Sequence, residues 1–401
     1  MTTSNSSAPS LPPRLWELAV LFFKLGAISF GGPAAHIALI DAEVVRKREW
    51  ITRQQFLDML GAANLIPGPT STEMAINVGF VRAGWAGLCV AGASFIVPAA
   101  LITGAFAWAY VRYGSLPQAG AVLAGIKPAV IAVIVMAIWR LGKAAIKDLG
   151  LALVSGLSLA AFFFGWSAIG ILLGGGLVGM VARRASRPGS VAACLPVLSF
   201  SSFWRRGSLS FYAVPALAGA AAVAKPSIAR IAIFFLKVGA ILYGGGYVLL
   251  AFLEDGLVRQ HVWLTQQQLL DAVAIGQFTP GPVLSTATFI GYILGGVPGA
   301  AVATLAIFLP SFFYVALLAP VLFRVRRSVW MSAFLDSVNV CAVALMTGVT
   351  FKLAVDALLS WPAWVIAAVA LAVLWKWKVN PAWVVLGGGV VGLLLGALRW
   401  W

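Results

Sequence analysis

Phe23-Lys24-Leu25-Gly26-Ala27-Ile28-Ser29-Phe30-Gly31-Gly32 is answered 213 positions later by Leu236-Lys237-Val238-Gly239-Ala240-Ile241-Leu242-Tyr243-Gly244-Gly245. The same spacing carries Trp50-Ile51-Thr52 onto Trp263-Leu264-Thr265, Asp58 onto Asp271, and Pro67-Gly68-Pro69 onto Pro280-Gly281-Pro282. One residue is then lost, so that Pro98 meets Pro310 at 212, and it is regained where Gly174-Gly175-Gly176 meets Gly387-Gly388-Gly389 at 213. Self-similarity held over so long a period means that one unit is written twice, and the unit must be read before the whole.

The solvent of that unit is lipid. Of 401 residues, 61% are hydrophobic and 10% charged, with a mean hydropathy of +0.98, whereas a soluble domain is about a quarter charged. The apolar residues fall in runs of roughly 17 to 25, the span of a bilayer core. The predicted fold class is therefore an all-α polytopic membrane protein of two homologous multi-helix repeats, inverted with respect to each other, each with a helical hairpin broken at Pro-Gly-Pro. The expected division is a disordered tail over 1–13, a first transmembrane repeat over 14–182, a linker over 183–227 and a second repeat over 228–401. The tail is Ser- and Pro-rich and lacks the positive n-region of a cleaved signal peptide.

Each repeat reads as a long apolar helix interrupted by a glycine pair, a charged loop, a weakly amphipathic helix ending at Pro-Gly-Pro, a second short helix and four more apolar segments. The first-half segments lie near 85–111, 119–139, 150–165 and 167–182, and their counterparts near 297–323, 334–351, 360–375 and 381–398. The stretch from Gln54 to Arg82 is too polar at its start, and too broken in the middle, for one plain spanning helix. A re-entrant or crossing hairpin is expected. Proline removes a donor and glycine loosens the backbone, and such irregularity survives at membrane depth only where protein or a wet cavity covers it.

The formal charge of +16 sits in short loops between apolar runs, as cytoplasmic loops do, so nucleic acid is not an expected partner. Arg46, Lys47, Arg48, Arg82, Arg140, Lys143, Lys147, Arg183, Arg184 and Arg187 lie on one side if the first half crosses an odd number of times. With an inverted second half, Arg324, Arg326, Arg327, Lys376 and Lys378 join them, leaving Arg259, Lys352 and Arg399 opposite. An extra crossing over 211–224 would change the absolute orientation.

Several chemistries are excluded by what is missing. Cys89, Cys194 and Cys341 are far apart, and His36 and His261 belong to no cluster with metal spacing, so neither a disulfide framework nor a metal site is expected. There is no P-loop and no Gly-x-Ser-x-Gly elbow. No catalytic residue and no cofactor is expected.

The candidates are those that could handle an anion inside a membrane. Lys24 and Lys237 occupy equivalent places in the first helix of each half. A lysine at the bilayer centre costs about 2.5 to 3.5 kcal/mol and usually serves an ion path, although near a helix start it can snorkel to the interface. Gly31, Gly32, Gly244 and Gly245 would let the first helix unwind, as transporter helices do at ion sites, or let another helix pack closely. After each Pro-Gly-Pro, around Gly68 and Gly281, stand hydroxyls: Thr70, Ser71 and Thr72 in one half, Ser285 and Thr286 in the other. A helix starting there aims unpaired N–H groups and about half a positive charge at the break, which suits an oxyanion, and hydroxyls at that place also serve as simple caps. Glu73 is the proton-coupling candidate, or else the partner of a lysine such as Lys127. Asp58 and Asp271 are expected on solvated helix faces. Asn64 and Gln277 could donate amide hydrogen bonds to the anion or merely pack.

Taken together, Phe30-Gly31-Gly32-Pro33 with His36 behind it, the Val44-Val45-Arg46-Lys47-Arg48 loop leading to Trp50, Asn64-Leu65-Ile66-Pro67-Gly68-Pro69-Thr70-Ser71-Thr72-Glu73 and Gln277-Phe278-Thr279-Pro280-Gly281-Pro282 resemble the chromate transporter family, from about Trp16 to Trp400. The resemblance implies chromate efflux from the cytoplasm, driven by the membrane potential or a proton gradient, and halves of opposite orientation. Asn64 and Glu73 depart from the glutamines that many members carry at these places. Chromate nearly matches sulfate in size and shape, so the residues reach "oxyanion" and the resemblance adds "chromate". The expected protein is a multi-pass chromate exporter of the cell membrane working by alternating access. A sulfate carrier, a passive anion channel and a membrane-embedded enzyme relying on Glu73 are the competitors. Expected partners are the transported anion, membrane lipid and, as an option, a second copy of the chain.

Overall fold

The computed structural model describes residues 11–63, 66–114, 116–185, 226–243, 246–318, 329–377 and 379–398. Fourteen α-helices are found among them, seven in each half. The first seven are α1 (Leu11–Ile28), α2 (Gly32–Asp41), α3 (Arg53–Ala63), α4 (Thr70–Tyr113), α5 (Pro117–Ala145), α6 (Leu149–Phe163) and α7 (Ala168–Ala185). Their counterparts are α8 (Ile228–Ile241), α9 (Leu249–Leu253), α10 (Gln266–Phe278), α11 (Thr286–Leu318), α12 (Val329–Ala357), α13 (Trp361–Trp377) and α14 (Pro381–Ala397). The helices α4, α5, α11 and α12 are long and apolar enough to cross a membrane. The expected linker falls almost wholly outside the described residues, as do the 211–224 stretch, Cys194 and most of the tail.

The repeat extends to local backbone detail. Both α2 and α9 run on into π-helical turns, Ala42–Lys47 and Glu254–Gln260, and both turns are followed by a non-glycine residue of positive φ, Glu49 and Val262, at 52° each. Reciprocal side-chain caps start α3 and α10: Thr52 with Gln55, and Thr265 with Gln268. Each such box satisfies two of the N–H groups that a helix start leaves over.

Helices α4 and α11 each reverse direction near their first third. Ala83 and Gly84, like Gly295 and Gly296, leave helical geometry, with Gly84 and Gly296 taking φ near +60°. On a continuous helix residues eight apart would stand about 12 Å from one another. Here a Cβ on Gly79 would collide with the Gly87 backbone, and one on Gly291 with that of Gly299, so the chain has folded back and these glycines form the crossing. The short first arms, 71–79 and 284–291, are buried almost throughout. The irregular backbone is thus covered by protein, as membrane depth requires.

The two halves are intertwined. Within each half the first helix lies on the long hairpin, α1 on α4 and α8 on α11, and the hairpins α4 and α11 meet each other in the middle. The last helices cross over: α7 packs on α12, and α14 packs on α5. Glycines allow both crossings, since a Cβ on Gly392 would strike the Ala121 carbonyl and one on Gly179 would strike Ser337. Small residues at such seams let helices approach closely enough for dispersion to hold them in lipid.

Candidate functional site

The site is built where the two first helices stop. Helix α1 ends at Ile28, and Gly31 and Gly32 follow at φ 105° and 77°. Helix α8 ends at Ile241. A helix end leaves carbonyls without intrahelical partners, and each half satisfies one belonging to the other. Gly281 donates its N–H to the Ser29 carbonyl at 2.8 Å, and Gly68 donates to the Leu242 carbonyl at 2.7 Å. Ser29 and Leu242 are equivalent in the repeat, as are Gly68 and Gly281. Each Pro-Gly-Pro motif is thus docked on the broken first helix of the opposite half.

Close approach is what both glycines permit. At Gly281, with φ of 86°, a Cβ would lie 2.7 Å from the Ala99 side chain and 2.9 Å from the Gly26 carbonyl. At Gly68, with φ of 142°, it would strike Glu73 and Ser311. Gly26 and Gly239 permit the same closeness in the next layer, lying directly against the carbonyls of Phe95 and Ile307.

The side chains at the two breaks differ. At the first, the helix starts directly at Thr70 after Pro69. Glu73 is 0% exposed and its carboxylate folds back onto Gly68, beside Ser311 of the other half. Neither carboxylate oxygen has a hydrogen-bond partner, nor do the hydroxyls of Ser311, Thr72 and Ser29. Tyr314 donates to the Ala240 carbonyl at 3.0 Å. His36 donates from Nε2 to the Ser29 carbonyl at 3.0 Å, supporting the same carbonyl that Gly281 caps.

At the second break a 3-10 turn, Val283–Ser285, intervenes before α11. Its groups are neutral: Thr103 donates to Ser285 at 3.2 Å, Thr288 and Thr304 share a hydrogen bond at 2.7 Å, and the Thr286 hydroxyl donates to the Val283 carbonyl at 2.8 Å. Gln277, Thr286 and Gly246 line a small cavity beside this break, with room for about one water molecule.

Of the sequence candidates, Gly68, Thr70, Ser71, Thr72 and Glu73 come together at the first break, and Gly281, Ser285 and Gln277 at the second. Asn64, Gly244 and Gly245 lie outside the described residues. Lys24 and Lys237 go elsewhere. Both are exposed, Lys24 on a stripe with Trp16, Val20 and Phe23, and Lys237 beside Ile233 and Leu236. Exposure beside large apolar side chains agrees with the snorkelling alternative.

Two expectations need correction. Asp271 is not on a solvated face: it is 3% exposed, ion-paired with Lys127 at 2.9 Å and accepting from Tyr110 at 2.9 Å. Lys127 accordingly is not the partner of Glu73. The sequence reading also missed Ser311, Thr103 and Tyr314. Ser311 and Ala99 both directly follow the hairpin proline, Pro310 and Pro98, and that repeat position was the signal available.

The comparisons with known proteins fit this two-fold arrangement. Residues 16–180 and 229–393, one segment in each half, match the sequence pattern described as "Chromate transporter". The chain is 31% identical over 405 residues, 98% of its length and 96% of the relative's, to the chromate transport protein of Cupriavidus metallidurans. It is 32% identical to the probable chromate transport protein of Synechococcus elongatus, over 90% of either chain. The uncharacterized transporter YwrA of Bacillus subtilis is 31% identical over 147 residues, 36% of this chain but 83% of that one. No solved structure matches. With its doubled match and its long apolar helices, this chain is a multi-pass membrane protein, and it belongs to the chromate transporter family.

Proposed function

We propose that this protein exports chromate across the cell membrane as a secondary active carrier, by alternating access between two inverted repeats, 14–182 and 228–401. The observation that carries the reading is the reciprocal docking of each Pro-Gly-Pro break on the other half's first helix. Because both breaks are shared between halves, rocking one half against the other opens the centre toward one side or the other, as alternating access requires. The relatives' names supply the ion, and the loop charges favour inversion.

Helix starts at Thr70 and Thr286 aim their positive ends at the breaks, which favours a dianion. The donors for it are the hydroxyls of Thr70, Ser71, Thr72 and Ser285, the Gln277 amide and the backbone at Gly31, Gly32, Gly68 and Gly281. The cavity beside Gln277 is too small for a tetrahedral oxyanion, so the anion enters only when the halves separate. Glu73 carries the coupling proton. Burying an ionised carboxylate without a partner costs several kcal/mol, so a positive charge must accompany it, and a proton is the one that needs no added space.

Everted membrane vesicles test this. Chromate uptake should depend on a proton gradient and survive excess sulfate. Absence of chromate movement from vesicles that contain inserted protein overturns the reading, and full displacement by sulfate replaces chromate with sulfate as the cargo.

A further inference from the structure

Lys127 is the only buried Lys or Arg among the described residues. It lies in α5 of the first half, and its partner Asp271 lies in α10 of the second, at 2.9 Å. Tyr110 of the first half donates to the other oxygen of Asp271. The repeat carries no lysine at the place equivalent to Lys127. Asp58, the equivalent of Asp271, is half-buried and accepts from Gln54 on its own helix, and the place of Lys127 falls on Asn339. A buried lysine present at only one of two equivalent places calls for a role that only one half performs.

Its position suggests which. Thr103, Phe106 and Tyr110 run along one face of α4. Thr103 meets Ser285 at the hydroxyl-lined break, Phe106 packs on Phe278 with centroids 5.6 Å apart, and Tyr110 meets Asp271. The seven residues from Thr103 to Tyr110 are two helical turns, about 10 Å. The pair therefore stands two turns from the second break, with an aromatic contact between them. It also bridges the two halves, so any motion that separates them draws Lys127 away from Asp271. A desolvated ammonium left without its carboxylate must find another anion.

We infer that Lys127 is a binding residue for the transported oxyanion, and that Asp271 is a tethered anion holding its place in the closed state. As the halves separate, the dianion replaces the carboxylate on the ammonium, while Tyr110 keeps its hydrogen bond to Asp271. On closing in the other state the carboxylate displaces the cargo. This rests on the reading of the protein as an oxyanion carrier.

The decisive variant removes both charges together, Lys127→Gln with Asp271→Asn, so that no unpaired charge is left buried. Chromate uptake should fall at least about tenfold, and the thermal stabilisation that chromate gives the purified wild type should vanish, while insertion and stability without anion stay near wild type. Uptake within about twofold of wild type would show a merely structural pair and overturn the inference. If the double variant does not fold, Lys127→Arg decides, because it keeps the charge pair and changes only the geometry. A chromate KM raised about fivefold or more supports a binding role, and an unchanged KM overturns it. Wild-type vesicles that move no chromate would sink the carrier reading instead, which keeps the two failures apart.

Discussion

The two Pro-Gly-Pro breaks share a backbone design and diverge in chemistry. Both glycines have positive φ, both cap the opposite half's first helix, and both precede a hairpin turned at a second glycine. Around Gly68 stand an acid with no partner and two unpaired hydroxyls. Around Gly281 stand Thr103 and Ser285, hydrogen-bonded to each other, the unpaired hydroxyl of Ser29 and an amide lining a small cavity. Duplication therefore preserved what the helix breaks need and let the side chains specialise. On the proposed function both breaks offer neutral donors to the anion, and only the first adds a carrier for the coupling proton.

The shared backbone can be broken first, with the largest effect. Gly68→Ala and Gly281→Ala each force an L residue into a left-handed conformation at a cost of about 1 to 3 kcal/mol, and the new Cβ would meet Glu73 and Ser311 or Ala99 and Gly26. Both variants should lose nearly all transport, and thermal unfolding of the purified proteins should show both destabilised. A tolerated alanine at one site alone would mean that the two breaks are less alike than their geometry.

The chemical difference is sharpened by a pair of variants. Glu73→Gln should keep chromate uptake measurable but remove its dependence on a proton gradient, because the amide cannot exchange a proton. Ser285→Ala should keep that dependence and raise the KM by up to about tenfold, the loss expected for one hydrogen bond to a charged group. Transport assays in vesicles at imposed gradients would separate them, and the same phenotype in both would abolish the division of labour.

A smaller effect is expected at the crossed seams. Gly392→Ala places a methyl against the Ala121 carbonyl and should lower the unfolding temperature, whereas a Cβ on Gly387 meets nothing within 4 Å. Gly387→Ala should be neutral or stabilising by up to about 1 kcal/mol, since alanine is the better helix former. The smallest change is predicted at the exposed lysines. Lys24→Ala and Lys237→Ala should leave uptake within about twofold of wild type, and a larger loss in either would return them to the ion path.

Much of the architecture is legible in the sequence. The 213-residue spacing located both breaks and the counterpart apolar segments, and glycine and proline marked the breaks, though not the reversals at Gly84 and Gly296. The structure took those marks up at Gly31, Gly68 and Gly281 because φ preferences and missing donors act on the residue itself. The placement of the lysines was not legible, for the opposite reason. Lys24, Lys237 and Lys127 all lie in apolar segments, and no local signal tells which side of a helix faces lipid. The sequence alone suggests a solvated face for Asp271, whereas α5 and α4 of the other half cover it.

By itself, then, the sequence determined that the protein lives in a membrane, that it consists of one unit twice, and where each unit carries its Pro-Gly-Pro break. These follow from apolar length, repeated spacing and the stiffness or freedom of single residues. Only the tertiary structure decided that Gly68 caps the second half and Gly281 the first, that the last helices cross over, that Glu73 faces Ser311, and that Lys127 rather than Lys24 or Lys237 is buried with an acid. Contacts between groups far apart in the chain depend on how whole helices rotate and pack, and that choice is made by the sum of many weak contacts, none of which is written at a single position.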